Sequence, residues 1–355
     1  MKFTLALTHN CNLACKYCYA GTKLSKDMPV ETALRIVDFA FRITPPGHTP
    51  SLNYFGGEPL LRFDLIQAIT AHVRQREGET GKRFSLSATT NGTLLKPRVL
   101  EYLRSEDIGL CISLDGPPAV HNRSRVFRGG RGSYDAVSTG LRDALEVLPE
   151  VQVNAVYGPE TLACLEETVS LLDGLGASMI HLNPDISAVW PREALQQFDT
   201  RMMDVANYYI RCYERGRELS INVIDGKIAL FVKGGYGAED LCGMGETEWA
   251  FAPSGNIYPC ERFIGDDSDA TMRLGNIVTG IDPTRRCQLI KHRGNANSAC
   301  VDCGLRPYCM NWCGCTNYHM TGRTNVAAPA LCAMEQASIH AARHAFESLS
   351  QTENP

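Results

Sequence analysis

The sequence predicts an α/β fold, a partial (β/α)6 TIM-like barrel followed by a small Cys-rich C-terminal domain. Two observations predict it. From the start to about residue 225, β-prone runs alternate with segments whose apolar residues recur at helical spacing. Beyond Asp225 the pattern changes to short turns, many glycines and clustered cysteines.

The predicted strands are Phe3–Leu7, Leu52–Phe55, Phe84–Thr89, Leu110–Leu114, Val151–Val156 and Met179–Leu182, several bounded by Gly, Asn or Pro turn signals. Amphipathic segments such as Val30–Arg42, Leu65–Arg76, Tyr134–Leu148 and Leu162–Leu175 are the helices that would cover a parallel sheet. A last helix is expected over Ala333–Leu349. The expected domains are the barrel over 1–225, a bridge over 226–241, the cysteine-rich domain over 242–335 and a C-terminal helix and tail over 336–355. Apolar runs in the third of these are short, so metal is expected to hold it together.

With 355 residues, 44% hydrophobic and 21% charged, the chain can bury a sizeable core. A net charge of −4 disfavours a nucleic-acid substrate, because affinity for phosphate backbones rests on Lys and Arg. No apolar run approaches the roughly 18 residues that span a bilayer, and the start MKFTLALTHN turns polar too soon for a signal peptide. The sequence therefore reads as cytoplasmic, without a membrane partner. In that reducing compartment, fifteen cysteines point to metal ligation or catalysis before disulfides.

Cys11, Cys15 and Cys18 crowd the loop after the first predicted strand, and in α/β barrels that strand end carries the active site. Three thiolates suit a [4Fe–4S] cluster with one iron lacking a protein ligand, a vacancy that a small chelating molecule can fill. A lone Cys-x-x-Cys pair would more often be half of a structural zinc site. The triplet, with both spacings directly after strand one, resembles the cluster motif of the radical SAM superfamily.

The resemblance implies that the open iron is chelated by the amino and carboxylate groups of S-adenosyl-L-methionine (SAM). One electron then cleaves a C–S bond, leaving methionine and a 5′-deoxyadenosyl radical that abstracts a substrate hydrogen. Gly56, Gly57, Glu58 and Pro59 follow strand two and look like the motif that approaches the SAM amino group, Glu58 supporting the turn. Thr90 and Asn91 follow strand three, and Ser113 and Asp115 follow strand four; in the family such side chains bond the ribose or the methionine carboxylate. Each would otherwise cap a turn. Among Arg123, Arg125 and Arg128, one is expected to pair with the SAM carboxylate. Tyr17 matches the position whose backbone meets the adenine, and Leu182 either packs on that ring or is core.

Downstream, Cys242, Gly255, Cys260, Cys300, Cys303, Cys309, Cys313 and Cys332 resemble the SPASM domain of peptide-modifying radical SAM enzymes. That implies two auxiliary clusters, three [4Fe–4S] clusters in all. Cys300, Cys303, Cys309 and Cys332 would hold one, and Cys242, Cys260 and Cys313 the other. Sulfatase maturases of the family have a further cysteine where this chain has Glu248, so the second cluster has an open iron or is completed by Cys315 or Cys287. Glu261 stands where those relatives have an Asp that accepts a proton, and as a general base it would need burial to lift its pKa. Cys111, Cys164 and Cys212 stand apart and are assigned no chemistry.

The resemblance favours a maturase that installs a thioether, carbon–carbon or related crosslink in a ribosomally made peptide or protein substrate. Oxidation of a sulfatase Ser or Cys to formylglycine is the alternative, and a non-catalytic iron–sulfur scaffold a third reading. The chain begins almost at strand one, so leader recognition is expected to fall to a separate small protein or to another surface of this chain. A flavodoxin or ferredoxin would be the electron donor.

Overall fold

A computed structural model describes residues 1–291 and 297–352. Residues 292–296 of the expected cysteine-rich domain, and the last three residues of the expected tail, lie outside the described residues. All six predicted strands are present: β1 (Lys2–Ala6), β2 (Ser51–Phe55), β3 (Ser85–Thr90), β4 (Ile108–Ser113), β5 (Val151–Tyr157) and β6 (Met179–Pro184). Five short strands follow them: β7 (Ser220–Ile221), β8 (Glu248–Phe251), β9 (Asn256–Tyr258), β10 (Gly275–Asn276) and β11 (Gly280–Ile281). The chain folds as two compact units, each assembled from three separate stretches.

The first unit comprises Met1–Ile112, Arg125–Glu150 and Gly243–His292. Its strands β1 to β4 are parallel neighbours, with Leu5 opposite Tyr54 and Leu86 opposite Ile108. Parallel pairing needs a crossover, and helices Val30–Ile43, Phe63–Thr80 and Pro97–Ser105 supply one after each of the first three strands. The helix Val30–Ile43 buries Ala33, Ile36, Val37 and Ala40, the three- and four-residue spacing of a single apolar face. Its ends are charged to suit the helix dipole, Glu31 in the first turn and Arg42 in the last. Phe3, Leu5, Leu52 and Tyr54 are fully buried. Each such side chain contributes roughly 1.5–3 kcal/mol relative to exposure.

On the other edge of β1 the late strand β8 pairs in parallel, Phe3 facing Trp249, and β8 to β11 continue as an antiparallel meander. Thus a segment from the expected cysteine-rich region is built onto the first strand of the sheet. Gly255 closes the β8–β9 hairpin at φ 83°, where an added Cβ would lie 2.8 Å from Ile277. Only glycine enters that conformation without strain.

The second unit comprises Ser113–Ser124, Val151–Cys242 and Arg293–Pro355. Strands β5, β6 and β7 are parallel. The long last helix, Pro329–Thr352, packs on helices Phe198–Glu214 and Asn222–Lys233. Ala337, Ala341 and Ala345 are buried at four-residue intervals, and their small side chains permit close approach. This helix starts four residues before the predicted Ala333, with Pro329 suited to a first helical position. Among the described residues no helix is long and apolar enough to cross a membrane.

Candidate active site

The loop after β1 is held from several sides. Ala14 donates its N–H to the carbonyl of Val126 (2.8 Å), Gly57 to that of Thr8 (2.7 Å) and Glu58 to that of Asn10 (2.9 Å). Within the loop, Cys11 is buried and Cys15 and Cys18 are half-buried. Donors converge on the sulfurs: Leu13 N–H on Cys11 (3.4 Å), the Asn91 amide on Cys11 (3.7 Å) and Lys23 Nζ on Cys18 (2.8 Å). Burial pushes the Cys11 thiol up, against the Leu13 N–H, so a metal is what would draw its proton off. Three sulfurs with hydrogen-bond donors aimed at two of them form a donor set that fits an iron–sulfur cluster. Lys23 had no signal in the sequence, since nothing marks a lysine five residues past a cysteine.

Gly56 and Gly57 are required by the β1 loop itself. A Cβ at Gly57 would stand 2.1 Å from the Asn10 carbonyl oxygen, and one at Gly56, φ 127°, 2.5 Å from that of Thr8. Glu58 is fully buried and staples two loops: Oε1 accepts from Leu60 N–H (3.1 Å) and Thr90 Oγ1 (2.6 Å), Oε2 from Asn91 N–H (2.7 Å). Burial pushes its carboxyl above the usual range while these donors oppose it. Pro59 begins a short 3₁₀ turn that Glu58 caps. The Asn91 amide also donates to Asn12 Oδ1 (2.8 Å), tying the β3 loop to the thiol loop. Thr90 and Asn91 are therefore brought beside the cysteines, with their side chains engaged in loop contacts.

The three arginines differ. Arg125 is buried, with Nη1 donating to the Tyr17 hydroxyl (2.7 Å), whereas Arg128 reaches Asn10 Oδ1 (2.8 Å). In the second unit Arg123 pairs with Glu160 at the surface. There too, Asp115 is buried and accepts Val156 N–H (3.1 Å), its own N–H going to His121 Nδ1 (3.2 Å). Gly116 follows at φ 127°, where a Cβ would strike Thr168. Ser113 is buried at the end of β4, and Leu182 is buried with its N–H bonded to Asn222 Oδ1 (2.8 Å).

Four further thiols gather in the second unit. Burial, then the neighbouring Cys300 and Cys303, push the Cys332 thiol up. Cys309 is pushed up to about 12, first by burial and then by Glu335, with Cys332 adding and Lys227 opposing. The Cys309 loop is pinned by an ion pair that the sequence did not reveal. Lys227 Nζ donates to Glu335 Oε2 (2.7 Å) and to the Tyr308 carbonyl (2.8 Å), and Met310 N–H donates to the same Glu335 oxygen (2.6 Å). Cys313 lies 3.5 Å from Cys315, sulfur to sulfur, and Cys242 is half-buried.

A thiol raised by burial favours the folded state below the ordinary thiol value and ceases to as pH climbs toward its folded value. The metal-free chain is therefore expected to lose stability from about pH 9 toward about 12 through Cys309. Urea midpoints at pH 8 and pH 10 check this, and Cys309→Ala should reduce the fall.

In the first unit, Cys260, Glu248 and Glu261 present ligand atoms within 4.8 Å of one another. Lys2 lies 2.8 Å from Glu248 and 3.9 Å from Glu261. Burial acts to raise the Glu261 carboxyl, but Lys2, its own N–H and Arg262 hold it below the usual range. The Glu261 carboxylate is stabilised by charge, because a lysine distant in sequence faces it. Glu248 is shifted upward by burial, with Lys2 opposing.

A parallel α/β sheet whose first strand ends in a three-cysteine loop is an α/β fold with a donor set that suits an iron–sulfur cluster. Residues 5–172 match the family model of the Radical SAM superfamily. It is 24% identical over 345 residues to the radical SAM cyclopropyl synthase TigE of Paramaledivibacter caminithermalis, covering 87% of this chain and 66% of that protein. With the mycofactocin maturase MftC of Mycobacterium ulcerans it shares 28% identity over 326 residues, 87% of this chain and 82% of that one. The chain spans less than two thirds of two curated relatives, 59% of one and 66% of TigE. The solved structure of native anSMEcpe with bound AdoMet and Cp18Cys peptide superposes with a TM-score of 0.84 at 16% identity, covering 99% of both chains. That likeness shows an α/β fold.

Proposed function

We propose that this chain is a radical SAM maturase that takes a hydrogen atom from a ribosomally made peptide and installs a thioether, carbon–carbon or related crosslink. The observation that carries the reading is the loop of Cys11, Cys15 and Cys18 at the end of β1, locked by Gly56, Gly57, Glu58 and Asn91. The likeness to a mycofactocin maturase, and to the anSMEcpe structure that holds a Cp18Cys peptide, support a peptide or protein substrate.

In this reading Cys11, Cys15 and Cys18 hold a [4Fe–4S] cluster that, with SAM, supplies the one-electron chemistry leading to hydrogen abstraction. Leu13, Asn91 and Lys23 stabilise the ligating thiolates by the hydrogen bonds they direct at sulfur. Of the three arginines, Arg125 is assigned to the SAM carboxylate, because it alone is buried beside Tyr17. Arg123 is engaged by Glu160, which argues against it. Cys300, Cys303, Cys309 and Cys332 are assigned to one auxiliary cluster, and Cys242, Cys260 and Cys313 to another. Ser113, Asp115 and Leu182 remain assigned to the cofactor, a separate protein to leader recognition, and flavodoxin or ferredoxin to electron supply, all in the cytoplasm.

Protein reconstituted with iron and sulfide without oxygen, then given dithionite and SAM, is expected to release 5′-deoxyadenosine, and Cys15→Ala is not. Equal release by the variant would refute the assignment of the thiol loop.

A further inference from the structure

The β8–β9 hairpin pairs Ala250 with Tyr258, and the same register carried two residues outward sets position 248 opposite position 260. Directly opposed residues of an antiparallel pair project from one face and touch. The side chains agree, a Glu248 carboxylate oxygen lying within 4.8 Å of the Cys260 sulfur. Cys260 is 4% exposed and the Glu248 side chain 17%. The close pair is thus a product of the hairpin, whose turn Gly255 makes possible.

We infer that Glu248 is a carboxylate ligand of the auxiliary cluster that Cys260 helps to hold. This rests on the proposed assignment of Cys260 to a cluster. Iron accepts carboxylate oxygen alongside other donors. A carboxylate bound through one oxygen keeps the other for a partner, and Lys2, 2.8 Å from Glu248 Oε1, is that partner. An ammonium in this place also offsets the negative charge of a thiolate-ligated cluster. Glu261 Oε2 also lies 3.5 Å from the Cys260 sulfur, but Glu261 adjoins Cys260 in sequence at the start of the 3₁₀ segment Glu261–Phe263, whereas Glu248 faces it across the hairpin, and Glu248 is the ligand inferred. The oxygen ligand makes this cluster differ from one held by four thiolates: its carboxylate corner is the harder, less electron-donating one.

The test reads auxiliary iron alone, in the full chain carrying Ala at Cys11, Cys15 and Cys18. Glu248→Gln, Glu248→Cys, Cys315→Ser and Cys287→Ser are each reconstituted anaerobically, oxidised mildly, assayed for iron and examined by electron paramagnetic resonance. The parent and Glu248→Cys are expected to keep about eight irons, as two four-iron clusters require. Glu248→Gln should lose about one iron and give the signal of a three-iron cluster, while Glu248→Cys lowers the cluster's midpoint potential. If Cys315→Ser or Cys287→Ser gives that signal and Glu248→Gln does not, that cysteine is the ligand and the inference fails. The inference also fails if no variant differs from the parent. A parent holding no auxiliary iron would overturn the assignment of Cys260 itself, and the inference with it. A parent holding about four irons, unchanged when Cys260 is replaced by Ala, would do the same.

Discussion

Replacing Lys227 by Met is expected to destabilise the second unit by about 3–5 kcal/mol, the range for breaking a buried ion pair by removing one partner. The residue is 6% exposed and its partner Glu335 8%. Without the ammonium, the buried Glu335 Oε2 loses one of its two donors, Lys227 Nζ, and keeps the Met310 N–H. The Tyr308 carbonyl loses its donor at the same time. Since Tyr308 and Met310 flank Cys309, the variant should also bind iron less well in this unit. Denaturant midpoints of the metal-free chain check the first effect and iron content the second. The double change Lys227→Met with Glu335→Leu should recover most of the lost stability, because an apolar pair replaces an ion pair at little net cost. A single-variant loss under about 1 kcal/mol, the range of exposed pairs, would show that the pair does not act as a buried one.

Glu58→Gln is expected to cost about 2–4 kcal/mol, although the substitution keeps the shape of the side chain. Both oxygens of Glu58 accept hydrogen bonds, from Leu60, Thr90 and Asn91. A glutamine must turn its NH2 group toward one of these donors, leaving donor against donor in a fully buried place. The requirement for two accepting oxygens also argues that Glu58 is held ionised, even though burial acts to raise it. Loss of the staple frees Asn91, and with it a donor to Cys11. The thermal midpoint should fall, and Glu58→Ala should fall as far or further. An unchanged midpoint for the glutamine variant would mean that the loops are held together by other contacts.

Many of the strands were legible in the sequence. Alternating apolar runs with turn signals marked β1 to β6 to within a few residues, and the triplet Cys11, Cys15, Cys18 marked the loop that follows β1. The roles of individual side chains were less legible. Gly56 and Gly57 were expected in a motif that approaches the SAM amino group, and the sequence did not show that a Cβ at Gly57 would also stand 2.1 Å from the Asn10 carbonyl oxygen of the cysteine loop, a contact that depends on tertiary structure. Likewise, Lys2 opposite Glu248 and Lys227 opposite Glu335 join residues 246 and 108 positions apart. No local spacing announces such pairs. The parallel pairing of β8 with β1 was hidden for another reason, since a four-residue strand such as Glu-Trp-Ala-Phe carries too little alternation to be recognised. The downward shift of Glu261 follows from the same fold, which delivers Lys2 to it.

The proposed function requires a cluster at the end of β1 that keeps one iron available to SAM. Electron paramagnetic resonance of the dithionite-reduced protein, recorded before and after SAM is added, tests this most directly. A changed signal that disappears in Cys11→Ala, Cys15→Ala and Cys18→Ala chains is the expected result. A spectrum that SAM leaves unaltered, in protein whose iron content shows the cluster to be present, would contradict the account.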